Sequence, residues 1–169
     1  MMGTTATSAL SRALHPDVDI DLDEETRRGA CSYQSVAQQF GRYPCHAAFA
    51  TMLSGVSREV RVRTPENLAA DFDAIDHGGT LYEVKTGYRW MVFMGSNEAR
   101  VEIIQRFYNQ ATEQLIIAAR CGHPLLWYFN DPYVASFFGA ENAPYPEYLE
   151  APMPVPVWYV PFNCDQDSG

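Results

Sequence analysis

Apolar positions recur along this chain with changing period, and the changes divide it into elements. Residues 44–53 (PCHAAFATML) set small and apolar side chains behind Pro44 and ahead of Gly55, which predicts a helix with proline in its first turn and glycine past its end. Residues 57–63 alternate, Val60 and Val62 against Arg61 and Arg63, as a half-buried strand does. Two further strands are expected over 68–76 and 80–86, with His77-Gly78-Gly79 as the hairpin turn between them. Behind Ser96, a capping residue type, Val101, Ile104, Tyr108, Ala111, Leu115 and Ala118 fall at steps of three and four. That spacing predicts a long helix with one apolar stripe, closed near Cys121 by Gly122. Residues 124–129 form a wholly apolar run, the mark of a buried strand. Asp131-Pro132 opens a short helix through Phe138. An edge strand is expected over 155–160, since Pro154 and Pro156 are tolerated only at an edge. A short helix is also expected over 33–40. The order αβββαβ predicts an α/β (α+β) fold, a mixed central sheet flanked by helices.

The first 28 residues are small and polar and then acidic, and read as a flexible tether. Residues 29–163 are expected to form one domain, and 164–169 a tail. No apolar run is long enough to span a bilayer, and no apolar signal region is visible near the N-terminus. The four cysteines, Cys31, Cys45, Cys121 and Cys164, form no close pair; the default expectation is free buried thiols in a reducing compartment. The formal net charge of −9 sits awkwardly with a polyanionic ligand, although acids that hold a metal would leave the local field less negative.

The segment ADFDAIDHGGTLYEVKTGYRW, residues 70–90, concentrates the candidate chemistry. Residues two apart in a strand share a face, so Asp71 pairs with Asp73 and Glu83 with Lys85. A three-residue turn at 77–79 sets Asp76 against Thr80, and then Asp73 faces Glu83 and Asp71 faces Lys85. Two facing carboxylates repel unless a divalent cation lies between them. Oxygen ligands with an incomplete protein shell suit Mg²⁺, with Mn²⁺ as a substitute. Lys85 is the only lysine in the chain; arginine serves at the other eleven basic positions. A compact ammonium beside a metal can orient or deprotonate an attacking water, or stabilise the transition state.

Asp73, followed ten residues on by Glu83-Val84-Lys85, resembles the PD-(D/E)xK motif of restriction-endonuclease-like nucleases. More narrowly, DFDA, LYEVKTGY, and RFYNQATEQL followed by PLLWYF are similar to the restriction-endonuclease-fold toxin domains of bacterial polymorphic toxins. The resemblance spans roughly residues 44–138 and lacks the proline of the motif's name. It implies a restriction-endonuclease-like core and Mg²⁺-dependent cleavage of DNA in interbacterial competition. It also implies a cognate immunity protein, and delivery without a cleaved signal peptide into the target-cell cytoplasm. Asp73, Glu83 and Lys85 take the catalytic places, with Asp73 and Glu83 as metal ligands.

Auxiliary positions stay open. Asp71 either stands behind the metal ligands without being the favoured ligand itself, or is the lysine's partner. Glu59 is either an extra carboxylate or a surface group. Gln110 and Gln114, one turn apart and similar to the helix glutamines of those toxins, touch the site or lie on a solvated helix face. His46 reads as a structural histidine, His77 and His123 as exposed, and Asp76 as a turn residue. Tyr88, Trp90, Trp127 and Phe129 read as core. Two other functions fit the residues: an RNase of the same fold, and a catalytically inert member that binds a protein partner.

Overall fold

A computed structural model of the chain describes residues 24–36, 44–93 and 97–164. The fold is mixed α and β, with five helices and two sheets among those residues. In chain order the elements are α1 (Glu24–Ala30), β1 (Ser32–Val36), α2 (Pro44–Ser54), β2 (Glu59–Arg63), β3 (Ala69–Phe72), β4 (Ala74–Ile75) and β5 (Leu81–Lys85). Then come α3 (Trp90–Phe93), α4 (Asn97–Arg120), β6 (Leu125–Phe129), α5 (Pro132–Phe137) and β7 (Val157–Tyr159).

The first sheet has the order β1-β2-β3, all antiparallel. The second has the order β4-β5-β6-β7; β4 and β5 form the hairpin, while β5, β6 and β7 run parallel. Long α4 makes the crossover between parallel β5 and β6, as such a connection requires. All five residues of β5 are buried, because α2 covers one face and α4 the other. Leu81 belongs to the main core with Phe107, Trp127 and Phe129 of the α4 side. Val84 packs on the opposite side with Phe49 and Ala50 of α2.

The expected turn is present: Gly79 N donates to Asp76 O and Asp76 N to Thr80 O, both at 3.0 Å. Asp76 stabilises it through Oδ1 to Thr80 N and Oδ2 to the Tyr82 hydroxyl. Gly79 has φ +85°, and an added Cβ would stand 2.9 Å from the Arg28 guanidinium carbon, so glycine is required there. Asp131 caps α5 as expected, and β7 is the edge strand.

Several expectations are corrected. Residues 32–36 are strand rather than helix: β1 finds a partner in β2, and that pairing outweighs local helical spacing. The remainder of that expected helix, 37–40, lies outside the described residues, as do Ser96 and residues 1–23. Residues 24–28 are not tether, since they belong to α1, and Arg27 and Arg28 hydrogen-bond the carbonyls of Ala119 and Gly122 at the end of α4. The thiols are not free. Cys31 is bonded to Cys121 and Cys45 to Cys164, across separations of 90 and 119 residues that sequence spacing cannot disclose. Cys164 therefore belongs to the fold and not to a tail.

His123 is buried, held by the Tyr33 hydroxyl and by the Gly79 carbonyl at 2.8 Å. Trp90 is exposed rather than core, with Tyr88 half-buried. The buried stripe of α4 is Ile103, Phe107, Ala111, Gln114, Ile117 and Ala118, continued past its end by Cys121, while Val101 and Tyr108 face solvent. Hydropathy misplaces that stripe because one of its buried positions is a glutamine.

Candidate functional site

The hairpin brings the predicted residues together with one exception, and the exception follows from the backbone. The ladder pairs Ala74 with Tyr82 and Ile75 with Leu81, the register that a three-residue turn dictates. Upstream of Ala74 the chain bends at Asp73 and changes partner: β3 pairs with β2, and β4 with β5. Side-chain alternation is broken at the bend. Phe72 and Ala70 face the core that contains α4, so Asp71 points outward. Asp71 is thus removed from the site and forms a bidentate pair with Arg61 at 2.7 and 3.0 Å, both side chains being exposed. The expected placement of Asp71 opposite Lys85 is corrected accordingly.

Asp73 is retained. It is 7% exposed; its Oδ2 accepts from the Val84 backbone N–H at 2.7 Å, and its Oδ1 lies 2.8 Å from His46 Nε2. Glu83 is 4% exposed and faces α4. Lys85 Nζ donates to Glu83 Oε1 and to Gln110 Oε1, both at 2.8 Å. Gln110 Nε2 donates to the same Glu83 oxygen at 2.7 Å, and Gln114 Nε2 to Oε2 at 2.8 Å. Gln114 in turn accepts from Trp127 Nε1 at 2.9 Å. The Lys85 ammonium sits 4.9 and 5.0 Å from the ring centroids of Phe107 and Trp127, whose faces favour a cation. Gln110 and Gln114 therefore belong to the site and not to a solvated helix face.

The electrostatics follow from burial. Glu83 titrates above the ordinary carboxylate range, chiefly because burial disfavours its charge and secondarily because Asp73 is nearby; Lys85 opposes the shift. His46 is pulled down most by burial, but its bond to Asp73 and the charges of Asp73 and Glu83 together pull it up further, and the net shift is upward. Glu59, on β2, is raised by burial and by the charge of Asp73, so its carboxyl stands within the field of the site. His46 is the residue that sequence reasoning set aside. A histidine near the start of α2 gives no pattern of its own; only the packing of α2 over the β4–β5 hairpin brings it to Asp73.

Among the described residues, no three His, Cys, Asp or Glu side chains form a group arranged to hold a metal ion. The donor set is the two carboxylates of Asp73 and Glu83, with Glu83 already accepting three hydrogen bonds of the roughly four its oxygens can take. Two hard oxygen ligands fit Mg²⁺, which keeps most of its water shell and takes one or two carboxylates. No helix among the described residues is long and apolar enough to cross a membrane. Comparison with protein-family models, with curated proteins and with solved structures finds no match for the chain.

Proposed function

We propose that this protein is a Mg²⁺-dependent nuclease of restriction-endonuclease-like core, cleaving DNA, and that it acts as a toxin or effector domain restrained by a cognate immunity protein. The observation that carries the enzymatic reading is the buried Glu83–Lys85 pair, aligned by Gln110 and beside a second buried carboxylate, Asp73. Burying a lysine and two acids together costs several kcal/mol of desolvation per ion in order of magnitude. A fold that needed only stability would fill the same space with apolar side chains. Delivery into a target cell rests on the resemblance of the motifs alone.

Asp73 and Glu83 would hold the ion, which when bound supplies charge neutralisation at a phosphoryl group and a more acidic water. Lys85 is fixed by three constraints: the Glu83 oxygen, the Gln110 oxygen and two aromatic faces. Its ammonium is thereby positioned to orient an attacking water or to stabilise the transition state. Gln110 and Gln114 donate to Glu83 without adding charge, so they aim its oxygens while leaving its anionic character intact.

The test is incubation of purified protein with supercoiled plasmid and with an RNA of similar length, in Mg²⁺, in Mn²⁺ and in excess chelator. Nicking that needs the metal and disappears in Glu83→Gln supports the proposal. Undiminished nicking in chelator, or none under any condition, overturns it. Cleavage of the RNA alone would assign an RNase.

A further inference from the structure

A net charge of −9 leaves open where a polyanion could rest on this molecule. Two walls flank the site, and they differ in charge. Along α4 an open groove of about 920 Å³ reaches Gln110, but its charged lining is Glu98, Glu102 and Glu113 against Arg106 alone. Most other described arginines are committed elsewhere: Arg89 to Asp131, Arg100 to Glu150 and Arg120 to Glu66, with Arg27 and Arg28 on the carbonyls at the end of α4. The opposite wall is the first sheet. Its middle strand β2 carries Arg61 and Arg63, with Arg58 just ahead, the densest run of positive charge among the described residues.

β2 also starts at the site. Val60 pairs with Phe72, so the start of β2 lies against the end of β3 next to Asp73. Val60 and Val62 are buried, so by alternation Glu59, Arg61 and Arg63 share the outward face. Strand rise places Arg61 about 7 Å and Arg63 about 13 Å from Glu59 along that face. Register adds Gln34 beside Arg61 and Ser32 beside Arg63, both exposed and both able to donate hydrogen bonds. Arg61 is held by exposed Asp71, and a surface pair of that kind is weak enough to exchange for another anion. A guanidinium fork engages a phosphate as it does a carboxylate.

We infer that the polar face of the β1–β3 sheet is the seat for the backbone of the substrate strand, with Arg61 and Arg63 taking successive phosphates that lead to the Asp73–Glu83–Lys85 cluster. This rests on the nuclease reading for its substrate, but it is testable by binding alone. Asp71 then acts as a placeholder that keeps Arg61 extended until a phosphate displaces it.

The experiment is fluorescence anisotropy of a labelled single-stranded DNA oligonucleotide with the full chain, without divalent metal, over a salt series, alongside plasmid nicking with Mg²⁺. Arg61→Ala with Arg63→Ala should weaken binding about tenfold and lower the slope of log affinity against log salt by about 1.4, the loss of two phosphate contacts on a single strand. Asp71→Asn should tighten binding, which a merely structural role for the pair would not do. Arg106→Ala, in the acidic groove, should leave the salt slope unchanged. Equal affinity and slope in the double variant and wild type would overturn the inference, as would a loss confined to Arg106→Ala, or no binding by wild type. Wild type that cleaves while the arginine variants bind normally sinks this inference and leaves the nuclease standing. Wild type that binds through Arg61 and Arg63 but never cleaves does the reverse.

Discussion

β5 and the β3–β4 segment each carry two charged residues spaced by one, and they treat them in opposite ways. In β5 the backbone is paired with β6 along its whole length, so Glu83 and Lys85 stay on one face and meet at 2.8 Å. In β3–β4 the chain trades one partner strand for another at Asp73, so Asp71 goes to solvent and Asp73 to the site. The continuous strand buries its charges and surrounds them with neutral amides and aromatic rings. The broken strand leaves one charge exposed on an arginine and ties the other to a titratable histidine. A charge pair on a continuous buried strand is thus committed to one geometry, whereas a bend lets neighbouring acids serve different surfaces.

The largest expected effect separates the acids of the two segments. Glu83→Ala leaves the Lys85 ammonium buried without its anion, which should cost about 3–5 kcal/mol and abolish cleavage. Relief of repulsion with Asp73 does not compensate, because Lys85 is the nearer charge by hydrogen bond. Asp71→Ala should leave the denaturant midpoint and the turnover at saturating substrate unchanged. Urea unfolding and nicking rates on both variants check this. Equal losses in the two would break the comparison.

Next is Lys85→Arg. If the amine positions or deprotonates a water, the larger, permanently charged guanidinium should lower the rate at least about a hundredfold. Folding should suffer less than in Glu83→Ala, since Glu83 keeps a cation. Near-normal cleavage by Lys85→Arg would reduce the lysine to a source of charge.

A smaller effect distinguishes the two glutamines that hold Glu83. Gln114 is 1% exposed and links Glu83 Oε2 to Trp127. Gln114→Ala strands both partners in the interior and should cost about 1–3 kcal/mol as well as activity. Gln110 is half-buried and can be replaced by water; Gln110→Ala should lower the rate with little loss of stability. Chemical denaturation paired with initial rates reads both, and a greater stability loss in Gln110→Ala would contradict the assignment.

How far the pattern along the chain disclosed this arrangement depends on which contacts were local. The hairpin register was legible because a Gly-Gly turn and an asparagine-like use of Asp76 are short-range facts. β6 was legible as a buried apolar strand after a long helix, though not its parallel pairing with β5. The bend at Asp73 was not: it exists because β2 and β5 compete for the same stretch of chain, a long-range event. Gln114 was left undecided for a related reason. Hydropathy scores an amide as polar, while here the amide is buried because Glu83 and Trp127 await it. The disulfides and His46 depend on α2 and the chain ends meeting across the fold, which no spacing encodes.

The smallest effect is the pH response of the broken strand. Burial is the largest single influence and lowers the folded-state pKa of His46, but the bond to Asp73 and the charges of Asp73 and Glu83 together outweigh it and raise that pKa above its ordinary 6.5. A group whose pKa is raised on folding contributes stability that is fully present below the unfolded value and disappears as pH rises through the folded one. Protonated His46 therefore helps hold α2 to Asp73 in mildly acidic buffer, and that help fades above pH 6.5 until the ring is neutral. Thermal unfolding in chelator should show wild type falling toward His46→Ala as pH rises through this window, with the two curves converging at the alkaline end. An NMR titration of the His46 ring gives the same quantity directly. A midpoint at or below 6.5, or unfolding curves that stay parallel, would show that the histidine is no partner of Asp73.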